Sequence, residues 1–167
     1  GNGIDVAKHP ENGLWIPEMV FAHLRTSTNY NKDEKKIVGG KNGFGAKLGF
    51  IYSTYGSIET VDHIRGVKYF QEFKNNLSDI CPPIITKLKS QKPYTKITFK
   101  PDYARFGMPN GITSDMCALF KKRAYDISAV SDHSVKKVQV TYNGEPVPVK
   151  NFQQYIDRFG SKIFATR

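Results

Sequence analysis

The sequence predicts an α+β fold, a layered sandwich of helices over a β-sheet built as one domain. Three observations carry that expectation. Apolar residues recur at helical spacing in some stretches and alternate in others, without the regular strand–helix repeat of a doubly wound sheet. Tight-turn signals fall between the alternating runs, Arg65-Gly66 in one place and Asn143-Gly144 in another. The chain has 167 residues, enough for one sizeable core, and shows neither an internal repeat nor a linker.

The elements follow in order. Residues 4–12 read as a strand end and a polar loop. Pro17 opens a helix, because the N–H it lacks has no partner in a first turn, and Ile16, Val20, Phe21 and Leu24 form its apolar stripe. The polar stretch "RTSTNYNKDEKK" leads to the glycine-rich "GGKNGFGAKL", after which "LGFIY" is a short apolar run. "SIETVDHI" and "VKYFQEF" alternate around Arg65-Gly66 as a β-hairpin. Cys81-Pro82-Pro83 breaks the chain before two further strands, "IITKLKS" and "YTKITFKP". In the second, Ile97 and Phe99 face one side while Lys96, Thr98 and Lys100 face the other. Thr113 or Ser114 caps a helix in which Met116, Leu119, Phe120, Ala124 and Ile127 share a face. "VKKVQVTY" is another alternating strand, and Asn151 caps a last helix carrying Phe152, Tyr155, Ile156 and Phe159.

Composition narrows the function. A formal charge of +10 favours anionic partners such as nucleic acid, nucleotides or acidic membrane surfaces, or else marks a basic solvated face. The lysines are scattered, with no polybasic run. Cys81 and Cys117 lie far apart, and no His stands at ligand spacing from either, which argues against a zinc site. Lone cysteines suit a reducing compartment. No apolar run reaches membrane-spanning length.

The chemistry concentrates in "GGKNGFGAKL". A P-loop would need Lys and Ser/Thr where Ala46 and Leu48 stand, and the dinucleotide fingerprint would need a third glycine at Leu48. The stretch still offers backbone N–H groups unobstructed by side chains. If "AKLGFIY" opens a helix, those donors sit at its positive end, with Lys41 and Lys47 adding charge. A solvated surface turn has the same composition. Three weaker features accompany it: a second glycine turn at Gly1-Asn2-Gly3, the compact polar trio Ser27-Thr28-Asn29, and the lone hydroxyl of Thr95. Each also has a plain structural role, as a turn, a helix cap or a packed strand residue.

Their order along the chain is more specific. "GNGIDVAKH", "IPEMVFAHLRTSTNYNKDEKKIVGGKNGFGAKL", "YTKITFKPDYARFGM" and "KKRAYDI" together resemble the ATPase domain of type IIA DNA topoisomerases. That domain belongs to the superfamily of gyrase, heat-shock-protein-90, histidine-kinase and MutL ATPases. Lys41-Asn42 in the glycine loop resembles the eukaryotic and large-DNA-virus branch. The resemblance implies a Bergerat-type ATP-binding fold, helices over a mixed β-sheet, across residues 1–160, with 161–167 an unplaced tail.

By position, Gly1 and Gly3 resemble the glycines that shape the family's adenine pocket, and Thr95 the threonine that supports adenine recognition. Ser27, Thr28 and Asn29 resemble the group beside the ribose and phosphates. Gly40, Lys41, Asn42, Gly43, Phe44, Gly45, Ala46 and Lys47 resemble the phosphate-wrapping lid. Thr28 stands where serine is usual and keeps the hydroxyl; Lys41 replaces arginine and loses the planar fork. The resemblance further implies ATP with magnesium, DNA and a homodimer as partners of the full-length enzyme, and a nucleus or viral replication compartment as its location.

The family's general base, magnesium-ligating asparagine and adenine-reading aspartate all precede the position of Gly1, and the Gln-Thr-Lys loop of the following domain has no counterpart. The expectation is therefore an N-terminally incomplete domain that lacks efficient hydrolysis by itself. Glu11, Glu18 and Glu34 read as solvated or capping residues. The competing expectations are a non-enzymatic basic DNA-binding module with a vestigial loop, and a chaperone or mismatch-repair ATPase. "TSTNYNKDEKK" and "FKPDYARFGM" argue against the latter.

Overall fold

The computed structural model describes residues 1–24, 43–131 and 138–160. The chain divides into two compact units, Gly1–Gly107 and Met108–Arg167.

The first unit is built on the expected hairpin. Strands β1 (Ser53–Asp62) and β2 (Val67–Lys74) pair antiparallel from Tyr55↔Lys74 to Asp62↔Val67. Gly66 turns between them at φ +62°, a conformation glycine adopts without steric cost. Beyond a pair at Asp79–Ile80 (β3), β4 (Ile84–Lys87) continues along the outer edge of β2, and β5 (Thr95–Pro101) pairs with the other edge of β1. Pro82 and Pro83 separate β3 from β4, since neither can donate to a ladder. The five strands described in this unit all pair antiparallel.

Register sorts the side chains into two faces. Gly56, Ile58, Thr60 and Asp62 share one with Val67, Tyr69, Gln71 and Phe73 of β2 and with Thr95, Ile97 and Phe99 of β5. Helices α1 (Ile16–Ala22) and α2 (Gly45–Ile51) close part of this face, and Ala22, Phe50, Ile58, Tyr69 and Phe73 form the core there. Phe50 stacks obliquely on Phe73 at 5.0 Å and on Phe21 at 5.9 Å. The other face carries Lys68, Lys74, Lys96 and Lys100 with Glu59 and Glu72. Its ion pairs are half-exposed, at 3.5 Å for Lys68–Glu59 and 3.7 Å for Lys74–Glu72, and each contributes little stability.

Pro17 occupies the first turn of α1, as its chemistry requires. The helix ends at Ala22, so Leu24 lies beyond it and is 55% exposed rather than part of the stripe. Glu18, expected as a solvated or capping residue, lies in the first turn of α1 and is drawn into a polar chain. Its carboxylate meets His23 Nε2 at 3.1 Å and accepts from Gln71 Nε2 at 2.8 Å, while Gln71 Oε1 accepts from the buried Tyr69 hydroxyl at 2.6 Å. Burial, and then the charge of Glu18, raise the Tyr69 hydroxyl pKa well above the ordinary value.

The second unit holds α3 (Ser114–Val130), a two-residue-per-strand hairpin of β6 (Thr141–Tyr142) and β7 (Glu145–Pro146), and α4 (Phe152–Ile156). Thr113 caps α3 by accepting from Met116 N–H at 3.3 Å, and Asn151 caps α4 by accepting from Gln154 N–H at 2.9 Å. Asn143 and Gly144 turn the hairpin at positive φ. Of the expected strand at 135–142, residues 135–137 lie outside the described region, 138–140 are irregular, and 141–142 form β6. The face of α3 that packs inside this unit is Ala124, Tyr125 and Ala129, against Val147 and Val149; Leu119, Phe120 and Ile127 are exposed. A 3.6-residue period marks an apolar stripe without saying which side meets its own unit.

Candidate nucleotide-binding site

Two of the expected site residues, 92 positions apart in sequence, converge on one hydroxyl. The segment Gly3–Val6 runs beside the end of β1: Ile4 N–H donates to Thr60 Oγ1 at 2.9 Å, and Val6 N–H donates to the Asp62 carboxylate at 2.9 Å. Gly3 makes this approach possible, because at φ +75° a Cβ there would lie 2.0 Å from the Val61 carbonyl oxygen. Thr60 is fully buried and stands opposite Thr95 in the β1–β5 register. Its Oγ1 lies 3.0 Å from Thr95 Oγ1 and 3.0 Å from the Tyr94 carbonyl.

Thr60 has one proton for two acceptors. If it goes to Tyr94 O, Thr95 donates to Thr60 and keeps lone pairs facing outward. If it goes to Thr95, the Thr95 proton points outward instead. Thr95 is exposed, so either arrangement presents a polar edge beside the Gly3 turn. Gly1 opens the same segment and is exposed, with open space where a Cβ would stand.

Asp62 fixes this corner. It accepts from Val6 N–H, from Ile64 and Arg65 N–H at 3.0 Å each, and from Arg65 Nη1 at 2.7 Å. Burial alone would raise its pKa; the N–H donors of Val6 and Arg65 and the guanidinium outweigh that and bring it down to about 2.

The glycine loop is described from Gly43. Its end turns at Gly43, φ +67°, and Phe44 stands just before α2, without a side-chain capping bond; Gly45 is the helix's first residue, so the loop does run into a helix. Ala46 is exposed on the first turn. Lys47 does not point into solvent: its ammonium donates to Gly43 O at 2.7 Å, the residue is 2% exposed, and burial lowers its pKa. It holds the loop's exit onto the helix. α2 packs through Phe50 on Gly56, where an added Cβ would stand 2.5 Å from the ring. Gly56, Thr60 and Thr95 share a sheet face, and between them β5 leaves Ile97 39% and Phe99 53% exposed, an open apolar floor. Ser27, Thr28, Asn29, Gly40, Lys41 and Asn42 lie outside the described residues.

Thr60 and Asp62 escaped the sequence reading. Their signal is present in "SIETVDHI": two polar residues fall on the parity of Ile58, the face that must be buried.

No family model matches the chain. It is 47% identical to the DNA topoisomerase 2 of Acanthamoeba polyphaga mimivirus over 93% of its length, and 44% identical to that of Candida glabrata over 95%. Among solved structures, the ATPase region of Saccharomyces cerevisiae topoisomerase II superposes with a TM-score of 0.87 at 44% identity, over 95% of this chain. The chain belongs to the DNA topoisomerase 2 family. It spans 11–12% of those two topoisomerase 2 relatives and 41% of the solved ATPase region. As a topoisomerase 2 segment it has the α+β fold expected of it, in common with that region.

Proposed function

We propose that this chain is part of the ATP-operated gate of a type IIA DNA topoisomerase. The observation that carries the proposal is the meeting of the Gly3–Ile4 turn, through Ile4 N–H, and of Thr95 at Thr60, on the sheet face that also receives the helix leaving the glycine loop. The S. cerevisiae relative is described as an ATPase region, which supports ATP as the ligand.

The described residues fit a nucleotide. Thr95 offers a hydroxyl to a polar ring edge, Gly3 lets the N-terminal segment close against Val61 and Thr60 beside it, Gly1 has open space around it, and Ile97 and Phe99 offer an apolar surface. Gly43, Phe44, Gly45 and Ala46 present backbone N–H groups, Lys47 secures their exit, and Gly40, Lys41 and Asn42 complete the phosphate-wrapping stretch. Ser27, Thr28 and Asn29 serve the ribose and phosphates. ATP supplies the phosphoanhydride whose cleavage resets the gate. Magnesium would bind with the phosphates and spread their negative charge; among the described residues no group of three His, Cys, Asp or Glu side chains could hold a metal ion.

In the full-length protein, lid closure over ATP drives homodimerisation, and the dimer captures and passes DNA in the nucleus or a viral replication compartment. No helix among the described residues is long and apolar enough to cross a membrane. Sedimentation velocity of the full-length protein with a non-hydrolysable ATP analogue tests this. Analogue-dependent dimerisation, abolished by Gly43→Val or Gly45→Val, is expected; a monomer in both conditions overturns the proposal. The open face with Lys68, Lys74, Lys96 and Lys100 favours, as a second reading, a basic module without nucleotide dependence. Salt-sensitive DNA binding indifferent to ATP analogue would support that reading instead.

A further inference from the structure

Three consecutive residues after β2 adopt left-handed backbone without being glycine: Asn75 at φ 51°, Asn76 at 58° and Leu77 at 65°. Asparagine tolerates this region while leucine enters it at a steric cost, and such a run persists only where its surroundings over-determine it. Here they do. Asn75 N–H donates to Thr54 O at 3.1 Å, Asn76 N–H donates to Ser53 O at 3.0 Å, and Leu77 packs against the core.

The purpose of holding this shape is visible in the Asn76 side chain. Its amide donates to the Ile51 carbonyl at 3.1 Å and to the Asp102 carboxylate at 3.2 Å. Ile51 is the last residue of α2, and its carbonyl also accepts from Arg105 Nη1 at 3.2 Å. Arg105 lies over the Tyr52 ring at 4.5 Å, and Asp102 N–H donates to Tyr52 O at 2.9 Å. Ser53 Oγ donates to Gly49 O at 2.5 Å. Terminal carbonyls that a helix leaves unpaired are thus gathered by side chains from three other segments.

α2 needs this. It is seven residues long, and its buried side chains are Lys47 and Phe50. Phe50 is the buried apolar side chain through which it meets the sheet, and one such contact leaves a short rod some freedom to tilt and slide. The Asn76–Asp102–Arg105 clamp removes that freedom at the C-terminal end. Because α2 rises about 1.5 Å per residue, the position of Ile51 sets that of Gly45.

We propose that Asn76 is a positioning residue for the nucleotide site: the strained turn holds its amide on the end of α2, and so sets where the glycine loop meets the phosphates. This rests on the nucleotide reading above. Asn76→Gly tests it, since glycine keeps the left-handed backbone while the amide is lost. In the full-length protein, calorimetric titration with a non-hydrolysable ATP analogue is expected to show affinity weakened on the order of tenfold. The melting temperature stays near wild type, and rapid amide exchange appears at Ala46–Leu48. Wild-type affinity in a folded Asn76→Gly protein overturns the proposal. If that variant does not fold, Arg105→Gln, at an exposed position, decides: weakened binding supports the clamp and unchanged binding overturns it. Wild-type protein that binds no analogue refutes the nucleotide reading itself, and this inference falls with it.

Discussion

Gly56 lies directly beneath Phe50: a Cβ at that position would stand 2.5 Å from the ring's Cδ1 and 2.8 Å from Cε1. The contact joins α2 to β1, and Phe50 is itself enclosed by Phe21 and Phe73, so the ring cannot swing aside. Gly56→Ala should therefore destabilise the first unit by about 1–3 kcal/mol, the usual cost of overpacking a filled core. Urea unfolding followed by intrinsic fluorescence measures it.

Asp62 ties the Gly3–Val6 segment to the hairpin turn, and its effect should depend on pH. Its folded pKa of about 2 lies below the ordinary 3.8. The carboxylate therefore contributes stability in full above about pH 4, and that contribution is lost as pH falls through 2. The wild-type urea midpoint should fall over this window, and the Asp62→Asn protein should lack that part of the fall. At pH 7 the variant should be less stable by roughly 1.5–3 kcal/mol, the scale of hydrogen bonds to a charged group.

The polar chain under α1 makes Gln71 more sensitive than its neighbours. Gln71 is 1% exposed and serves Glu18, Tyr69 and Cys81 O at once. Gln71→Leu keeps most of the volume but strands the Tyr69 hydroxyl and the Cys81 carbonyl. A loss of about 1–3 kcal/mol per stranded buried group is expected. Tyr69→Phe in the same background should recover part of it, which a double-mutant cycle in urea would read.

In the second unit the Tyr155 hydroxyl donates to Asp126 at 2.6 Å, and Lys122 Nζ reaches both the Asp126 carboxylate, at 2.9 Å, and the Tyr155 oxygen, at 3.3 Å. The Tyr155 bond, then Lys122, hold the Asp126 carboxyl below its usual range, with Arg123 adding to the effect. Tyr155→Phe should loosen α4 from α3, seen as faster amide exchange across 152–156 and little change in β1 or β2.

Much of the frame was legible because its signals are local. The β1–β2 hairpin follows from alternation around Arg65-Gly66, β5 from the parity of Ile97 and Phe99, and the starts of α3 and α4 from Thr113 and Asn151. The rest depends on distant partners. Alternation says that Thr60 and Asp62 face inward, but not that the N–H groups of Ile4 and Val6 meet them there. Leu77 carries no composition signal for left-handed backbone; its surroundings impose it. Helical spacing in α3 marked Met116, Leu119, Phe120, Ala124 and Ile127 as one apolar face; of these Ala124 packs within the unit, beside Tyr125 and Ala129, while Leu119, Phe120 and Ile127 are exposed. Lys47 illustrates the same limit in the candidate site: its charge is legible in the sequence, but not that it is buried with its ammonium donating to Gly43 O.

Calorimetric titration of a non-hydrolysable ATP analogue into the full-length protein, beside its Gly45→Val and Thr95→Val variants, tests the central claim most directly. Saturable one-to-one binding is predicted for wild type. It should weaken at least tenfold when a branched side chain intrudes at the loop's entry to α2 and severalfold when the Thr95 hydroxyl is removed, as expected for a lost near-contact and a lost hydrogen bond. Binding of equal affinity in all three proteins, or none in wild type, would contradict the assignment of these residues to a nucleotide site.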